Sequence, residues 1–182
     1  MQRTFPFGGS KVTALLVAGV VLTLAYPALA DGGGSSNTTP SCPTGQIYDK
    51  NEKKCVPEES SNLDQDSIFE TGRALAYSGK YDDAIRVLRL AKNQADPRVQ
   101  NMLGYSHRKS GNMELALVHY QSAVDANPNY SLVREYLGEA YLQLGMLEKA
   151  REQLSEIERI CHGKACDEYQ ELAKLIVDSQ TQ

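Results

Sequence analysis

The chain has few of the residues that enzymes use for chemistry. Its 182 residues include three histidines and four cysteines, and none of them stands in a His-x-x-His, His-Glu-x-x-His or Cys-x-x-Cys arrangement. Nucleophile-elbow, phosphate-loop and haem-attachment motifs are also missing from the sequence. Tryptophan is absent as well, and ten tyrosines supply most of the aromatic residues. We therefore expect a protein that is not an enzyme and that has no cofactor and no metal site.

The chain also lacks an excess of positive charge. It carries 19 basic and 23 acidic residues, a net charge of −4. Loss of the first 30 residues would remove Arg3 and Lys11 and leave 17 basic against 23 acidic residues. Nucleic acids and anionic lipids are bound by clustered positive charge. The charge balance therefore argues against both as general partners.

No apolar stretch in the sequence is long enough for a typical transmembrane helix. Residues 12–26 carry no charge and precede Ala28 and Ala30, but such a stretch falls short of the roughly 20 residues that span a bilayer. A basic start, an apolar stretch and a small-x-small site are typical of a secretory signal peptide. We expect residues 1–30 to form that signal and to be cleaved before Asp31. A retained signal anchor is the alternative.

The four cysteines are expected to form disulfides, because the compartments that receive exported proteins are oxidising. Four cysteines allow three pairings, and proximity in the sequence favours Cys42 with Cys55 and Cys161 with Cys166. Cys161, His162 and Cys166 could instead offer three zinc ligands, but a structural zinc site uses four. A disulfide is the preferred interpretation.

Residues 31–62 differ in composition along their length and divide into a linker, a cysteine-bounded motif and a second linker. Residues 31–41 are rich in glycine, serine and threonine and predict a flexible linker. Residues 42–57 hold turn formers between two cysteines, which predicts a disulfide-closed hairpin without a core. They are similar to the Cys-Pro-x-Gly motifs of chitin-binding modules, which usually have more cysteines. Residues 58–62 predict a second linker.

One pattern recurs three times after this region. A glycine is followed by a second glycine, then by an alanine, and then by a large apolar residue at constant spacing. The first glycines are 32 and then 34 residues apart, a period typical of stacked helical repeats. The copies are Gly72, Gly79, Ala84 and Leu88; Gly104, Gly111, Ala116 and Tyr120; and Gly138, Gly145, Ala150 and Leu154.

Each copy predicts two amphipathic helices, and the second helix of the first copy should run from Tyr81 to Ala91. Asp96 and Asn112 are expected to cap the helices that follow them.

Gly104 and Gly138 lie in the middle of predicted helices, where glycine costs about 1 kcal/mol relative to alanine. We expect close helix packing to be the reason, with Ala116 and Ala150 as the small surfaces opposite. Tyr120 and Leu154 would then fill the space between successive pairs.

The array resembles the tetratricopeptide repeat, a 34-residue helix-turn-helix unit. The resemblance implies an all-α fold, a helix-turn-helix solenoid of three such repeats plus a C-terminal capping helix. The sequence departs from the family pattern at Ile157, where alanine is usual, and no proline closes the third unit. The repeat domain would span residues 63–178, with units at 65–96, 97–130 and 131–164 and the capping helix at 167–177.

The resemblance also implies a binding groove, because in this family the first helix of each unit lines the concave surface. Tyrosine and arginine at such positions are typical of binding hot spots. The charge is basic in the middle of the groove and acidic toward its end, which opposes a carboxylate-clamp function. The implied groove residues are Phe69, Arg73 and Tyr77; Asn101, Tyr105, Arg108 and Lys109; and Glu135, Glu139 and Gln143. Core positions are assigned to Tyr81, Tyr120, Tyr136 and Tyr141.

These features predict an exported adaptor, bacterial and either periplasmic or secreted, that binds another protein. The partner would be an extended peptide or a helix of a cell-envelope protein, held in the groove. After signal cleavage the adaptor would not span the membrane. An alternative is a cell-wall or glycan-associated protein that docks on polysaccharide through the motif between Cys42 and Cys55. Self-association through the groove or the outer faces is a third possibility.

Overall fold

The computed structural model describes residues 40, 42–60 and 62–181, which belong to one compact unit. The expected signal peptide and nearly all of the first linker lie outside the described residues. Among the helices described, none combines the length and apolarity needed to cross a bilayer. The elements are β1 Gln46–Asp49, β2 Lys54–Pro57, α1 Gln65–Tyr77, α2 Tyr81–Leu88, α3 Pro97–Lys109, α4 Met113–Ala126, α5 Ser131–Gln143, α6 Leu147–Ile160 and α7 Asp167–Ser179.

The helices pack as three successive pairs, α1 with α2, α3 with α4 and α5 with α6, followed by α7. The second helix of each pair contacts the first helix of the next pair, and α6 contacts α7 in the same way. The first helices form a continuous layer, because α1 contacts α3, α3 contacts α5 and α5 contacts α7. The predicted all-α solenoid of three repeats plus a capping helix is therefore confirmed, with a short hairpin added before it.

Short polar side chains and glycines mark the helix ends. The side chain of Asp96 accepts a hydrogen bond from the backbone of α3, and that of Asn112 does the same for α4, as the sequence predicted. Asp64 caps α1 similarly. Gly79 follows α1 with φ +80°, a conformation that costs glycine little and other residues more.

Helix α2 is shorter than the sequence suggested. It ends at Leu88 and does not continue to Ala91. The side-chain amide of Gln94 donates to the carbonyl oxygens of Leu88, Arg89 and Ala91, at 3.2, 3.2 and 2.7 Å. The Leu88 carbonyl oxygen also accepts from the Ala91 N–H at 3.2 Å. The bonds from Gln94 therefore serve mainly the carbonyls of Arg89 and Ala91, which lie past the helix end, so the chain can turn early toward α3.

The hairpin packs on the helices through buried apolar residues and shares their core. The prediction that it has no core is therefore wrong. Strands β1 and β2 pair antiparallel with Ile47 opposite Val56, so the two side chains lie on the same face. Their exposed fractions are 0% and 8%, and they belong to one apolar cluster with Leu63 and Ile68. The hairpin therefore covers the end of the helical stack.

Polar contacts join the hairpin and the following turn to the first helix pair. The Lys50 N–H donates to Ser67 Oγ at 3.0 Å, and Asn51 Nδ2 donates to Asp64 Oδ2 at 3.0 Å. Glu58, in the segment expected to be a linker, forms an ion pair with Arg86 of α2. The described part of residues 58–62 is thus a turn that is tied to the helices.

Both favoured disulfides are present. Cys42 is bonded to Cys55 across the hairpin, and Cys161 is bonded to Cys166 in the loop between α6 and α7. No cysteine among the described residues is free.

The mid-helix glycines meet large side chains, and not the small ones that were expected. A Cβ on Gly104 would lie 2.6 Å from Cδ1 of Tyr120, whereas Ala116 is not among its nearest neighbours. Tyr120 is fully buried. The glycine therefore provides the space in which a tyrosine ring of the paired helix is held.

The third copy differs from the pattern that its sequence implied. A Cβ on Gly138 would lie 2.5 Å from Cδ2 of Leu172 on α7, and Leu154 is not among the nearest groups. Leu172 is fully buried, and Leu154 is only partly buried in the same cluster. The capping helix thus uses the space that was assigned to the second helix of the third pair.

Candidate functional site

The candidate site is the face formed by the first helices α1, α3, α5 and α7. This face is called the groove below. All ten residues that the sequence assigned to a groove lie on α1, α3 and α5, and they differ in accessibility. Four of them are buried, namely Phe69, Asn101, Arg108 and Glu135. Six are exposed or half-buried, namely Arg73, Tyr77, Tyr105, Lys109, Glu139 and Gln143.

Three tyrosines, here called the tyrosine cluster, connect the first helices. Tyr77 of α1 packs edge-on against Tyr105 of α3 with ring centroids 5.4 Å apart, and Tyr105 lies 5.2 Å from Tyr136 of α5. The hydroxyl groups of Tyr77 and Tyr136 are 3.2 Å apart. Tyr77 is 52% exposed. The cluster therefore presents aromatic surface and hydroxyl groups at the centre of the groove.

The side chain of Arg108 lies beneath this cluster and is only 1% exposed. Its Nε donates to Tyr120 Oη at 3.2 Å, and its Nη1 lies 2.6 Å from Glu139 Oε2 as an ion pair without linear hydrogen-bond geometry. Its guanidinium carbon is 5.7 Å from the ring centroids of both Tyr105 and Tyr136. Burial opposes its charge, but Tyr120 and Glu139 outweigh burial and raise the pKa of Arg108. Arg108 was expected to be a binding anchor, but this arrangement does not favour that role, because its charge is already paired inside the protein.

The groove residues Phe69 and Asn101 also make contacts with other side chains of the protein. The ring of Phe69 lies under the guanidinium of Arg98, 4.9 Å from its centroid, and under that of Arg73 at 5.7 Å. Asn101 is fully buried and its amide nitrogen lies 3.5 Å from the Tyr130 hydroxyl oxygen. These residues shape the groove wall from within.

The α5–α7 end of the groove is acidic. Glu135 is 9% exposed, and burial, followed by the charges of Glu139, Glu168 and Glu171, raises its pKa to about 8, with Arg108 acting in the opposite sense. A carboxyl group with this pKa is mostly protonated at neutral pH. The groove therefore holds a carboxyl group that an arriving positive charge would ionise.

Sequence reasoning missed three contributors to this face. Tyr136 was assigned to the core, yet it reaches the Tyr77 hydroxyl. Glu168 and Glu171 lie on the capping helix and were not among the residues assigned to the groove. The repeat period could have indicated that these two residues face the groove, because Leu172 lies 34 residues after Gly138. This spacing marks α7 as the first helix of a further, incomplete unit.

A metal site is not supported by the geometry of the described residues. In this part of the chain, the group of potential ligands whose atoms lie within 4.8 Å of one another consists of Cys161, Cys166 and Glu168. The two cysteines are bonded to each other and offer no thiolate.

Comparisons with known proteins agree with this architecture. Two family profiles, both described as tetratricopeptide repeat, match residues 69–131 and 107–174. Together these matches span more than half of the chain. No curated protein sequence matches it.

Solved structures share the fold at low sequence identity. The type III secretion translocator chaperone SycD of Yersinia enterocolitica, in a structure that records an alternative dimer, has a TM-score of 0.56 and 22% identity, over 67% of this chain and 92% of that one. SycD with a peptide of the translocator YopD has a TM-score of 0.53 and 22% identity, over 64% and 88%. The first repeat domain of Spaghetti (RPAP3), bound to the HSP90 peptide SRMEEVD, has a TM-score of 0.55 and 18% identity, over 68% and 100%.

Proposed function

Because this chain belongs to the tetratricopeptide repeat family, we propose that it is an exported adaptor that binds an extended peptide or a helix of a cell-envelope protein. The partner lies in the groove formed by α1, α3, α5 and α7. The observation that carries the proposal is the tyrosine cluster, which joins three of these helices and leaves Tyr77 52% exposed. Tyrosine offers a large amphipathic contact area at low entropic cost.

The solved relatives support peptide binding as the function. SycD and the RPAP3 domain are both recorded with a bound peptide. The present chain has the same fold and an aromatic surface on the face formed by its first helices. No catalytic role is proposed.

Site-specific photo-crosslinking tests the location of the partner. A photoreactive phenylalanine analogue at position 77 should crosslink a native-host envelope protein, and the same analogue at Lys92, an exposed position after α2, should not. Tyr77→Ala and Tyr105→Ala should reduce capture of that partner at unchanged helicity. If position 92 crosslinks the partner and position 77 does not, the groove is not the binding surface.

Export is the second part of the proposal, and the two disulfides are compatible with it. The protein recovered from the periplasm or the medium should have the mass of a chain that begins at Asp31 and should contain no thiol that reacts with an alkylating agent. A mass that includes residues 1–30, or four alkylatable cysteines, would contradict export by a cleaved signal.

One observation favours docking on polysaccharide as a second candidate function. A cavity of about 180 Å³ lies between the hairpin and the first helix pair. Thr71 lines it with a buried hydroxyl that has no partner, and Thr44, Gln46 and Ser78 add polar groups. Co-sedimentation with cell-wall polysaccharide should be weakened by Thr71→Val under this hypothesis and should be absent in both proteins under the adaptor hypothesis.

A further inference from the structure

We propose that the groove selects a peptide segment with an arginine or lysine side chain, which binds beside the tyrosine cluster against an acidic cluster at the α5–α7 end. The acidic cluster consists of Glu135, Glu139, Glu168 and Glu171. This inference rests on the proposed function, because it names the chemistry of the partner at the same site.

The first support is the imbalance of charge at this end of the groove. The charges of Glu139, Glu168 and Glu171 act on Glu135, and Arg108 acts on it in the opposite sense. Arg108 is itself engaged by Glu139 at 2.6 Å. The cluster therefore carries more negative charge than the protein neutralises.

The second support is the burial of Glu135. It is 9% exposed, and among the described residues its carboxyl group has no ion-pair partner within 4.0 Å, since the pair at this point is Arg108 with Glu139. Burial of most of this side chain disfavours the charged carboxylate unless a cation lies nearby. A cation from outside would supply the missing partner.

The surroundings of Glu135 are set by several elements. Helix α3 presents Arg108, α7 presents Glu168 and Glu171, and α5 itself contributes Glu139. Burial, followed by Tyr77 and then by the charge of Glu135, raises the pKa of Tyr136, the next residue on α5. From α4, Tyr120 accepts from Arg108, while α6 uses Gln153 and Glu156 to hold Arg134. Arg108 is thus a cation that acts on the Glu135 carboxyl group, and it is already paired with Glu139.

The spacing of the carboxyl groups in the acidic cluster favours an arginine or lysine side chain over a metal ion. Its members do not place three ligand atoms within 4.8 Å of one another among the described residues, so they do not form a cage for a metal ion. A guanidinium or ammonium group on a flexible stem can meet carboxylates that are further apart. The guanidinium carbon of Arg108 already lies 5.7 Å from the ring centroids of Tyr105 and Tyr136. These rings are therefore suited to cation–π contact with an arginine or lysine side chain of the partner.

The preference should be opposite to that of one structural relative. The RPAP3 domain binds the peptide SRMEEVD, which has three acidic residues. In the present chain, a peptide carboxylate at the α5–α7 end would meet the acidic cluster and be repelled.

Selection from a random nonapeptide library displayed on phage tests the inference, with the disulfide-bonded protein without residues 1–30 as bait. Peptides that Tyr77→Ala no longer retains count as groove binders. We expect these to be enriched in arginine and lysine over aspartate and glutamate. In a synthetic copy of a selected peptide, replacement of its basic residue by glutamine should weaken binding about fivefold or more, and replacement by glutamate more than that.

Protein variants assign the effect to the acidic cluster. Glu135→Gln should weaken binding of an arginine peptide about fivefold or more, and Glu114→Gln, at an exposed position of α4, should leave it unchanged. Ligand binding should release a proton from Glu135, so fluorescence anisotropy should show tighter binding at pH 9 than at pH 6. Glu135→Gln should remove this difference, which a merely structural role of Glu135 would not predict.

The outcomes separate this inference from the proposed function. Groove binders that are acidic or neutral would overturn the preference for basic peptides and leave the adaptor function standing. Retention of all selected peptides by Tyr77→Ala would overturn groove binding itself. Equal binding of arginine and glutamine peptides by the wild-type protein would also overturn the inference.

Discussion

Leu172 occupies the space that Gly138 leaves open, because a Cβ on Gly138 would lie only 2.5 Å from Cδ2 of Leu172. This contact joins α5 to α7 and places the capping helix beside the groove. In the two preceding pairs, the corresponding glycine holds a side chain of its own partner helix, as Gly104 holds Tyr120. The last helix therefore completes the stack by the same kind of contact that builds it.

Gly138→Leu should displace α7 and destabilise the protein by about 1–3 kcal/mol through overpacking. The midpoint of thermal unfolding should fall, and amide exchange in α7 should increase first. Ala126→Leu, at the exposed end of α4, adds a larger side chain without a buried contact and should change the midpoint little. An unchanged midpoint in Gly138→Leu would show that the contact with Leu172 is misplaced.

Ile47→Ala should destabilise the repeat domain as well as the hairpin, because Ile47 is fully buried in the same apolar cluster as Ile68 of α1. A large-to-small change at such a site costs about 2–4 kcal/mol. Urea unfolding followed by helical circular dichroism measures the loss. Thr44→Ala, an exposed change in the same hairpin, is the matched control. Equal stability of the two variants would mean that the hairpin does not support the helices.

Arg108→Met should lower the free energy of unfolding by about 3 kcal/mol, because it leaves Glu139 partly buried without its counter-charge. Glu139→Gln should also destabilise, since it leaves the guanidinium of Arg108 unpaired. The double variant should recover part of the loss. A double-mutant cycle by chemical unfolding gives the coupling energy, and additive effects of the two changes would argue against the ion pair.

Acid should destabilise the protein through His119. Burial, followed by the charges of His107 and Arg89, lowers the pKa of His119 from 6.5 to about 4. The unfolded chain then binds more protons than the folded one, so the stability is present above pH 6.5 and is lost as the pH falls through 4. The loss should reach about 2 kcal/mol after allowance for partial exposure. Unfolding at pH 7 and at pH 4.5 should show a smaller acid effect in His119→Gln than in the exposed-site control His162→Asn.

Glu135 should produce the opposite dependence on pH. Its folded pKa, about 8 against an ordinary value of 4.5, means that its stabilising contribution is complete below pH 4.5 and is lost as the pH rises through 8. We expect Glu135→Gln to be more stable than the wild-type protein at pH 9 by about 1–3 kcal/mol and to differ little at pH 5. Unfolding at the two pH values measures this, and a wild-type protein that is the more stable of the two at pH 9 would contradict the burial of a charged Glu135.

The sequence determined the repeat architecture and the ends of most helices, because these depend on local patterns. Glycine and alanine spacing, apolar periodicity and capping residues such as Asp96 and Asn112 act within a few turns of the chain. The two disulfides could also be assigned from proximity in the sequence. The early end of α2 escaped this reasoning, because Gln94 reaches back to the helix through its side chain.

The accessibility of the groove was decided by the tertiary structure alone. Arg108 and Tyr105 lie three residues apart on one helix, yet Arg108 is buried because Glu139 and Tyr120 come from two other helices to meet it. Ile47 became a core residue only because α1 offers an apolar surface to the hairpin. Local patterns specify which residues share a helix face, but the burial and charge state of each residue depend on the neighbours that packing brings from distant parts of the chain.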